Sequence, residues 1–511
     1  MANIISALIN EHPSDARAIG APDRAWLTYG GLRDLSADVK SMLNDLGVGR
    51  GDRVAIVLPN GPEMATAFFT VAQVATTAPL NPAYKEDEYA FYLDDLKAKA
   101  LVVASDYDGP ALAAAKTCGI AVLRLSFEEA GPAGVFSLTG ETDFGTADTE
   151  MPKEDDVALI LHTSGTTSRP KIVPLTHANV VASANNVKAS LALTPDDRCL
   201  SVMPLFHIHG LIAAVSATLA AGGEISCTPG FNALRFFAQV KAVDPTWYTA
   251  VPTMHQAILA RAGRNQEIIA NASFRFLRSS SASLPAPVMK ELIAAFGAPV
   301  IEAYGMTEAT HQMCANPLPP RKQIPGSVGI AAGPEVKIAS ETENRLIADG
   351  ATGEIVISGP NVTSGYESNP QANADNFFDA DGKNWFRTGD QGAFDAEGYL
   401  NLTGRLKEII NRGGEKISPL EVDAILLGHP EIAQVVCFAV PHDKLGEDIA
   451  AAVVFSEGST LSAHDVQSYA GERLTKFKVP NTIVVLEEIP KGATGKIQRI
   501  GMAEKLGLTG A

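Results

Sequence analysis

Residues 157–171 read Val-Ala-Leu-Ile-Leu-His-Thr-Ser-Gly-Thr-Thr-Ser-Arg-Pro-Lys. The first five residues are apolar and indicate a fully buried strand. The segment that follows is rich in hydroxyls and ends in a lysine. Ligands of open α/β sheets gather where strands end, and hydroxyls, backbone amides and a cation suit a polyphosphate. The spacing is not that of a Walker A loop. Composition alone therefore leaves two interpretations open, a phosphate loop and a solvated turn.

Strand-like runs that alternate with helical patterns extend on both sides of this stretch. Residues 54–58 predict a buried strand and residues 63–73 an apolar helix. The same order recurs when the helical pattern 86–97 leads into an apolar strand at 101–104, and a further strand is predicted at 299–303. Repeated β-then-α units predict mostly parallel sheets with helices on their faces.

The sequence predicts an α/β fold in two domains. The large N-terminal domain is expected to hold two mostly parallel α/β subdomains and a small β-barrel. Short alternating segments with turn pairs between residues 320 and 400 predict this antiparallel barrel. The last hundred residues have a periodicity of their own and predict a small α+β domain. The boundary falls near Gly404 to Lys407, which gives domains 1–404 and 405–511.

Charge and composition exclude several classes of protein. The 511 residues have a net charge of −17 at pH 7, and such a field repels nucleic acid and anionic membranes. The longest apolar run, 211–221, is shorter than the roughly 20 residues of a bilayer span, and the N-terminus does not fit a signal peptide. Five scattered cysteines without a C-x-x-C pair suit a reducing compartment. We therefore expect a cytoplasmic protein with no nucleic-acid or membrane partner.

Five more motifs follow the first along the chain. In order they are Glu-Ala-Tyr-Gly-Met-Thr-Glu at 302–308, Trp-Phe-Arg-Thr-Gly-Asp at 385–390, a segment at 399–410 that contains Gly-Arg-Leu-Lys, Gly-Gly-Glu-Lys-Ile-Ser-Pro at 413–419 and Thr-Gly-Lys-Ile at 494–497. Together with the hydroxyl-rich loop they resemble the adenylate-forming acyl-CoA synthetase superfamily. The resemblance covers nearly the whole chain. It implies an acid:CoA ligase that uses ATP, Mg²⁺ and CoA.

The resemblance assigns a nucleotide site to residues of several motifs. It implies that Tyr304 lies against adenine and that Asp390 accepts hydrogen bonds from the ribose, with Arg405 near the sugar and phosphate. Thr307 is the implied donor to the α-phosphate, and Glu308 is the implied Mg²⁺ ligand. The other residues assigned to ATP or CoA are Thr163, Ser164, Gly165, Thr166, Thr167, Lys171, Ser283, Glu302, Ala303, Lys407, Gly413, Gly414 and Lys416.

Lys496 is the main catalytic residue that the resemblance implies, beside Thr307 and Glu308. Attack of a carboxylate on phosphorus brings like charges together, so a cation is needed where negative charge develops. The resemblance also implies two steps. An acyl-adenylate and diphosphate form first. The C-terminal domain then turns about a hinge at Lys407, and the loop from Gly413 to Lys416 lines the path of the CoA thiol.

Histidines and hydroxyls crowd the expected acid pocket. His207, His209 and His311 lie in its segments, and Ser281 is a further donor. Such polarity favours a polar acid, because a site built around donors rejects acids that lack the partner group. The pocket segments resemble the oxalate branch of the superfamily. Oxalate is therefore the expected acid, and His207, Ser281 and His311 are the predicted substrate ligands.

Alternatives remain open at this point. His207 and His209 have the spacing of a metal pair on one face of a strand, but no third ligand is evident, and a packing or gating role competes with that interpretation. A CoA ligase for another short-chain or aryl carboxylic acid is a competing function. A stand-alone adenylating domain that loads a carrier protein is another.

Overall fold

The computed structural model describes residues 3–140, 145–163, 170–348, 350–490 and 498–509. Within these ranges the strands are, in chain order, β1 (Arg17–Gly20), β2 (Leu27–Thr28), β3 (Arg53–Val57), β4 (Thr76–Pro79), β5 (Ala100–Ala104), β6 (Ala121–Ser126), β7 (Ser137–Gly140), β8 (Val157–Thr163), β9 (Lys171–Thr176), β10 (Arg198–Ser201), β11 (Glu224–Cys227), β12 (Trp247–Ala250), β13 (Phe276–Ser279), β14 (Val300–Met306), β15 (His311–Ala315), β16 (Ile330–Ala331), β17 (Glu335–Ala339), β18 (Gly353–Ser358), β19 (Phe377–Ala380), β20 (Lys383–Phe394), β21 (Leu400–Arg405), β22 (Ile410–Arg412), β23 (Glu415–Ile417), β24 (Ile432–His442), β25 (Gly446–Phe455) and β26 (Thr482–Val485).

Helices connect and cover these strands. The α-helices are α1 (Tyr29–Asp45), α2 (Pro62–Val71), α3 (Glu86–Leu96), α4 (Pro110–Cys118), α5 (His177–Ser190), α6 (Ala217–Ala221), α7 (Phe236–Val243), α8 (Pro252–Ala262), α9 (Gln266–Asn271), α10 (Ala286–Phe296), α11 (Pro370–Asn376), α12 (Pro419–Leu426), α13 (Ala463–Gly471) and α14 (Met502–Lys505). A π-helical segment spans His209–Ser216, and 3₁₀ turns lie at Ile5–Leu8, Thr307–Ala309 and Lys476–Lys478. None of the helices in the described ranges has the length and apolarity to cross a membrane.

Two mostly parallel sheets form the large part of the molecule, as predicted. The first has seven strands in the order β7-β6-β5-β3-β4-β8-β9, and the second has nine in the order β16-β15-β14-β13-β12-β10-β11-β1-β2. Their central pairs are parallel, and antiparallel strands are added at the edges. This arrangement confirms the α/β class, because βαβ crossovers bury parallel sheets between helices.

One apolar core joins the two sheets. It contains Val54 and Ile56 of β3, Ile225 of β11, Phe68 of α2 and Val180 of α5, all of them fully buried. The second helix begins where Pro62 follows Gly61, as prolines favour the first helical position. Helices between the sheets therefore hold the carboxyl ends of β8, β12, β13 and β14 in fixed relation, and the candidate site is built there.

A third, fully antiparallel sheet contains β17 to β21. Strand β20 pairs with β18 on one side, and on the other side it pairs with β19 along its first half and β21 along its second half. The predicted antiparallel unit is present, but its pairings in the described residues form an open sheet.

The C-terminal part forms a separate α+β unit, as predicted. Its sheet has the order β23-β22-β25-β24, with β26 parallel to β25, and helices α12 and α13 pack on it around a core of their own. Residues 406–409 connect β21 of the third sheet to β22 of this unit. Lys416 forms an ion pair with Glu341 at 2.6 Å, and the Ser418 hydroxyl donates to the Thr403 carbonyl. Polar contacts therefore join the two parts.

Candidate active site

The predicted nucleotide residues meet around Asp390. The Tyr304 hydroxyl donates to one oxygen of this carboxylate at 2.5 Å, and Arg405 Nε lies 3.2 Å from the other. Strands β20 and β21 place Asp390 opposite Arg405 in register, while Tyr304 comes from β14 of the second sheet. The charge of Asp390 raises the pKa of Arg405. Three motifs that are far apart in the sequence thus form one hydrogen-bonded group.

A second group surrounds Glu308 in the 3₁₀ turn that follows β14. The Tyr366 hydroxyl donates to Glu308 Oε1 at 2.8 Å, and Lys171 Nζ lies 4.4 Å from the centre of the Tyr366 ring. Burial raises the pKa of the Glu308 carboxyl, and the hydrogen bond from Tyr366 and the charges of Arg405 and Lys171 oppose that shift. We refer to Tyr304, Glu308, Tyr366, Asp390 and Arg405 as the nucleotide cluster.

Glu302 has a different surrounding from the one expected of a nucleotide ligand. Its Oε1 accepts the backbone N–H of Leu284 at 2.8 Å, and Oε2 has no partner among the described residues. Burial raises the pKa of this carboxyl to about 8. The Ala303 carbonyl accepts the Ser280 hydroxyl at 2.9 Å, while Ser283 is exposed. Glu302 and Ala303 therefore hold the loop that carries Ser283 against the middle of β14.

Part of the predicted site lies outside the described residues. These positions are Ser164, Gly165, Thr166 and Thr167 of the hydroxyl-rich loop, and Lys496. The residues on either side of the loop are described. Thr163 ends β8 and pairs with Lys171, the first residue of β9. The capping box between Thr176 and Asn179 then begins α5.

The acid side of the site is centred on His209, the first residue of the π-helical segment. Its Nδ1 lies 2.9 Å from Ser281 Oγ, and its Nε2 lies 2.6 Å from Thr249 Oγ1. The ring of His311 is 5.1 Å from that of His209, measured between centroids. π-Helical turns occur frequently at functional sites. His209, which the sequence placed near the pocket without a role in binding, is thus a central part of it.

A buried arginine lies behind these groups. Arg278 is 0% exposed, and its Nη1 lies 3.2 Å from both His209 Nε2 and Thr249 Oγ1. Its Nη2 donates to Gln312 Oε1 at 3.2 Å. Within the described ranges no carboxylate forms an ion pair with it. We refer to His209, Thr249, Arg278, Ser281, His311 and Gln312 as the acid pocket.

The backbone of the acid pocket is strained at three positions. Ser281, Thr310 and His311 have φ values of 74°, 48° and 109°, in the left-handed region that residues with a Cβ rarely adopt. Gly305 allows the close approach of the returning strand, because a Cβ there would lie 1.8 Å from the His311 carbonyl oxygen. Strain of this kind clusters at ligand-binding sites. Two of the three predicted acid ligands, Ser281 and His311, are among these residues.

The remaining predicted residues have fewer described contacts with the rest of the site. His207 is half-buried, and its Nδ1 accepts the backbone N–H of His209 at 3.3 Å. Gly413 and Gly414, with φ values of 63° and 96°, form the turn between β22 and β23. Burial of the Glu341 carboxyl acts to raise its pKa, but hydrogen bonds from Lys416 and Gln391 lower it overall. Contacts of Lys407, Gly413, Gly414 and Lys416 with CoA remain predictions.

No role was predicted from the sequence for Thr249, Arg278, Gln312 or Tyr366. The first two lie near the ends of β12 and β13, two strands that were not among the predicted ones, although ligands of open α/β sheets gather at such ends. Gln312 follows His311 directly. Tyr366 lies in none of the predicted motifs, and we find no feature of the sequence that would have identified it.

Comparison with known proteins agrees with this geometry. Residues 6–367 match the family of AMP-binding enzymes, and residues 421–496 match the C-terminal domain of AMP-binding enzymes. The chain belongs to the AMP-binding enzyme family. This assignment confirms the adenylate-forming superfamily that the ordered motifs indicated.

Individual relatives match almost end to end. The chain is 45% identical over 493 residues to an oxalate–CoA ligase of Arabidopsis thaliana, a match that covers 95% of this chain and 94% of the relative. It is 42% identical over 478 residues to an oxalate–CoA ligase of Saccharomyces cerevisiae, covering 89% and 87%. The crystal structure of ATP-bound MatB from Rhodopseudomonas palustris superposes with a TM-score of 0.87 at 28% identity and covers 99% of both chains. The two-part architecture is therefore shared with a solved structure.

Proposed function

We propose that this enzyme is an ATP-dependent acid:CoA ligase that converts oxalate, ATP and CoA to oxalyl-CoA, AMP and diphosphate. The observation that carries the proposal is the hairpin of β14 and β15. It presents Tyr304 and Glu308 to the nucleotide cluster and His311 to the acid pocket within eight residues of chain. A nucleotide and a small polar acid would therefore meet at one turn. The names of the two oxalate–CoA ligase relatives support the choice of acid.

The first step forms the oxalyl-adenylate. One carboxylate oxygen of oxalate attacks the α-phosphorus of ATP, and the bond from that phosphorus to the diphosphate breaks. Both reactants are anions, so the step needs positive charge around the reacting atoms. Arg405 supplies one such charge within the nucleotide cluster, and Lys171 supplies another beside the ring of Tyr366. We propose Lys496 as the cation that bridges the acid and the α-phosphate, with Thr307 as a donor to the same phosphate.

The residues present also suit the Mg²⁺ that accompanies ATP. Glu308 is a buried carboxylate with one oxygen bonded to Tyr366, and burial alone disfavours its charged form. Mg²⁺ is commonly bound by one or two carboxylates together with substrate phosphates. We propose that Glu308 holds the ion, which when bound would neutralise phosphate charge.

The second step transfers the oxalyl group to CoA. The thiolate sulfur of CoA attacks the oxalyl carbon, and AMP leaves with the electron pair of the acyl–phosphate bond. We propose that the C-terminal domain, residues 405–511, turns about Lys407 between the two steps and that Gly413, Gly414 and Lys416 line the thiol path.

The five cysteines are free and four of them are buried, which supports a reducing, cytoplasmic location.

An assay with a panel of acids tests the proposal. The enzyme is incubated with ATP, Mg²⁺, CoA and either oxalate, malonate, glyoxylate, acetate or benzoate, and AMP and acyl-CoA are quantified. We expect oxalate to give the highest kcat/KM and Lys496→Ala to abolish AMP production. An acid-dependent exchange of labelled diphosphate into ATP without consumption of free CoA would instead favour loading of a carrier protein.

The hinge is tested separately. Lys407→Pro restricts the backbone at the turning point, so we expect diphosphate exchange to persist while thioester formation falls by at least about 10-fold. Equal losses in both half-reactions would contradict a hinge at this position.

A further inference from the structure

A guanidinium group lies behind the histidine and serine of the acid pocket, where no residue was predicted to act. Arg278 is at the end of a fully buried strand, and its three described hydrogen-bonding neighbours, His209, Thr249 and Gln312, are neutral or can be neutral. Arg278 Nε has no partner among the described residues. Buried arginines are almost never left without a paired anion.

The hydrogen bonds of Arg278 constrain the protons around it. A guanidinium only donates, so the contact of Arg278 Nη1 with His209 Nε2 at 3.2 Å is a hydrogen bond only when Nε2 carries no proton. Thr249 Oγ1 accepts from the same nitrogen of Arg278 at 3.2 Å and lies 2.6 Å from His209 Nε2. A proton on Nε2 would be donated to Thr249 and would remove the hydrogen bond from Arg278 to His209, so the arrangement that keeps this hydrogen bond has Nε2 as an acceptor.

The proton of a neutral His209 is then on Nδ1, 2.9 Å from Ser281 Oγ. Ser281 accepts this hydrogen bond, and its own O–H is left to donate in another direction. Ser281 is half-buried. The contacts from Arg278 through His209 to Ser281 therefore link a buried positive charge to a hydroxyl that can donate a hydrogen bond to a ligand.

We infer that Arg278 is a positioning residue that makes the enzyme selective for a doubly charged acid. It sets the proton positions of His209 and Ser281 toward the carboxylate that does not react, and its charge stabilises that carboxylate through them. The inference rests on the proposed function for the identity of the acid. The arrangement of protons in the free enzyme does not depend on it.

Burial lowers the pKa of the Arg278 guanidinium to about 9, with the buried Cys199 thiol acting in the opposite direction. The group remains protonated at neutral pH. A monoanionic acid bound with its carboxylate at the nucleotide would leave this charge without an anion, whereas a dianion supplies one.

Two measurements test the inference, and the first needs no variant. With selectively ¹⁵N-labelled histidine, of which the chain has ten, the ring signals of His209 are assigned by comparison with His209→Gln. We expect the neutral Nδ1–H tautomer at pH 7. The Nε2–H tautomer or an imidazolium at His209 would overturn the inference, whatever acid the enzyme uses.

The second measurement compares acids. For Arg278→Met we expect kcat/KM for oxalate to fall by at least about 100-fold and that for glyoxylate, a monoanion in which an aldehyde replaces the second carboxylate, by less than about 5-fold. Arg278→Lys keeps the charge and should recover part of the preference for oxalate. Equal losses for the two acids in Arg278→Met would show that Arg278 only supports the fold.

Controls separate this result from a loss of stability. Arg275→Met removes an arginine next to β13 that pairs with Asp197 at 2.9 Å, away from the pocket, and it should leave the ratio of the two acids unchanged. Thermal unfolding and AMP binding report on the fold of each variant. If Arg278→Met does not fold, two measurements still test the inference. They are the histidine spectrum of the wild type and the ratio of kcat/KM for oxalate to that for glyoxylate in Arg278→Lys. If the wild type converts another acid but no oxalate, the proposed function fails while the tautomer measurement still tests Arg278.

Discussion

The nucleotide cluster and the acid pocket lie on two sides of one hairpin but differ in how their charged side chains are paired. In the nucleotide cluster Asp390 faces Arg405, and Glu308 faces Tyr366 with Lys171 nearby. In the acid pocket the charge of Arg278 faces an imidazole, a hydroxyl and an amide, and no carboxylate among the described residues pairs with it. Nucleotide binding therefore exchanges partners that the charged groups of the nucleotide cluster already have. Binding of an acid instead supplies Arg278 with the anion that it lacks among the described residues. This difference suits a large ligand with many contacts on one side and a small, charged ligand on the other.

The largest effect is expected when the acid pocket is given its own anion. Gln312→Glu places a carboxylate on Arg278 Nη2, where two unit charges at about 4 Å interact by roughly 4 kcal/mol at an effective dielectric of about 20. We expect kcat/KM for oxalate to fall by about 1,000-fold while KM for ATP changes little. Steady-state kinetics measure both. The matched control is Gln266→Glu, at the exposed start of α9. Unchanged oxalate kinetics in Gln312→Glu would contradict the difference in charge pairing between the nucleotide cluster and the acid pocket.

The converse change breaks a pair in the nucleotide cluster. Asp390→Asn leaves Arg405 without its anion and weakens the acceptor of the Tyr304 hydroxyl, and hydrogen bonds to charged groups contribute about 1.5–3 kcal/mol each. We expect KM for ATP to rise by about 100-fold and KM for oxalate to stay within about 3-fold of the wild type. Similar increases in KM for ATP and KM for oxalate would mean that the nucleotide cluster and the acid pocket are energetically coupled.

A smaller effect is expected at the edge of the acid pocket. His311→Ala removes one donor but leaves Arg278, His209 and Ser281, so we expect kcat/KM for oxalate to fall by about 10- to 50-fold and that for acetate far less. His177→Ala is the control, because His177 is equally buried but accepts the backbone N–H of Ile5, outside the pocket. Equal losses for both acids in His311→Ala would make His311 a structural residue.

A last effect, on stability rather than on catalysis, concerns Glu302, a buried carboxyl that belongs to neither side. Burial raises its pKa to about 8 in the folded enzyme, against about 4.3 in an unfolded chain. The folded state therefore binds more protons between these values, and stability is lost as the pH rises through this window. Glu302→Gln removes that dependence. We expect its Tm, relative to the wild type, to increase steadily from pH 5 to pH 8, and a constant difference would contradict a neutral Glu302.

Much of the fold could be predicted from local patterns. The strands expected at 54–58 and 101–104 are β3 and β5, and the helices expected at 63–73 and 86–97 are α2 and α3, each within about two residues at either end. Apolar runs and prolines determine these elements locally. The pairing of β19 and β21 with the same side of β20 was beyond such patterns, since it depends on tertiary contacts rather than on which residues alternate.

The site was predictable to a different extent on its two sides. Tyr304, Asp390 and Arg405 were assigned through ordered motifs, and the structure brings them together. The role of Arg278 could not be read in the same way. A guanidinium in the sequence predicts a surface charge or an ion pair, and only the packing of β12, β13 and β15 shows that its neighbours are Thr249, His209 and Gln312.

The first strand of the chain has a consequence for how the protein is made. Ile19 of β1 pairs with Ile225 of β11, so a segment that leaves the ribosome early waits for a partner about 200 residues behind it. At roughly 5–20 residues per second, that delay lasts on the order of 10–40 s. During this time β1 has only β2 as a partner, so its other edge stays open and can pair with a wrong neighbour.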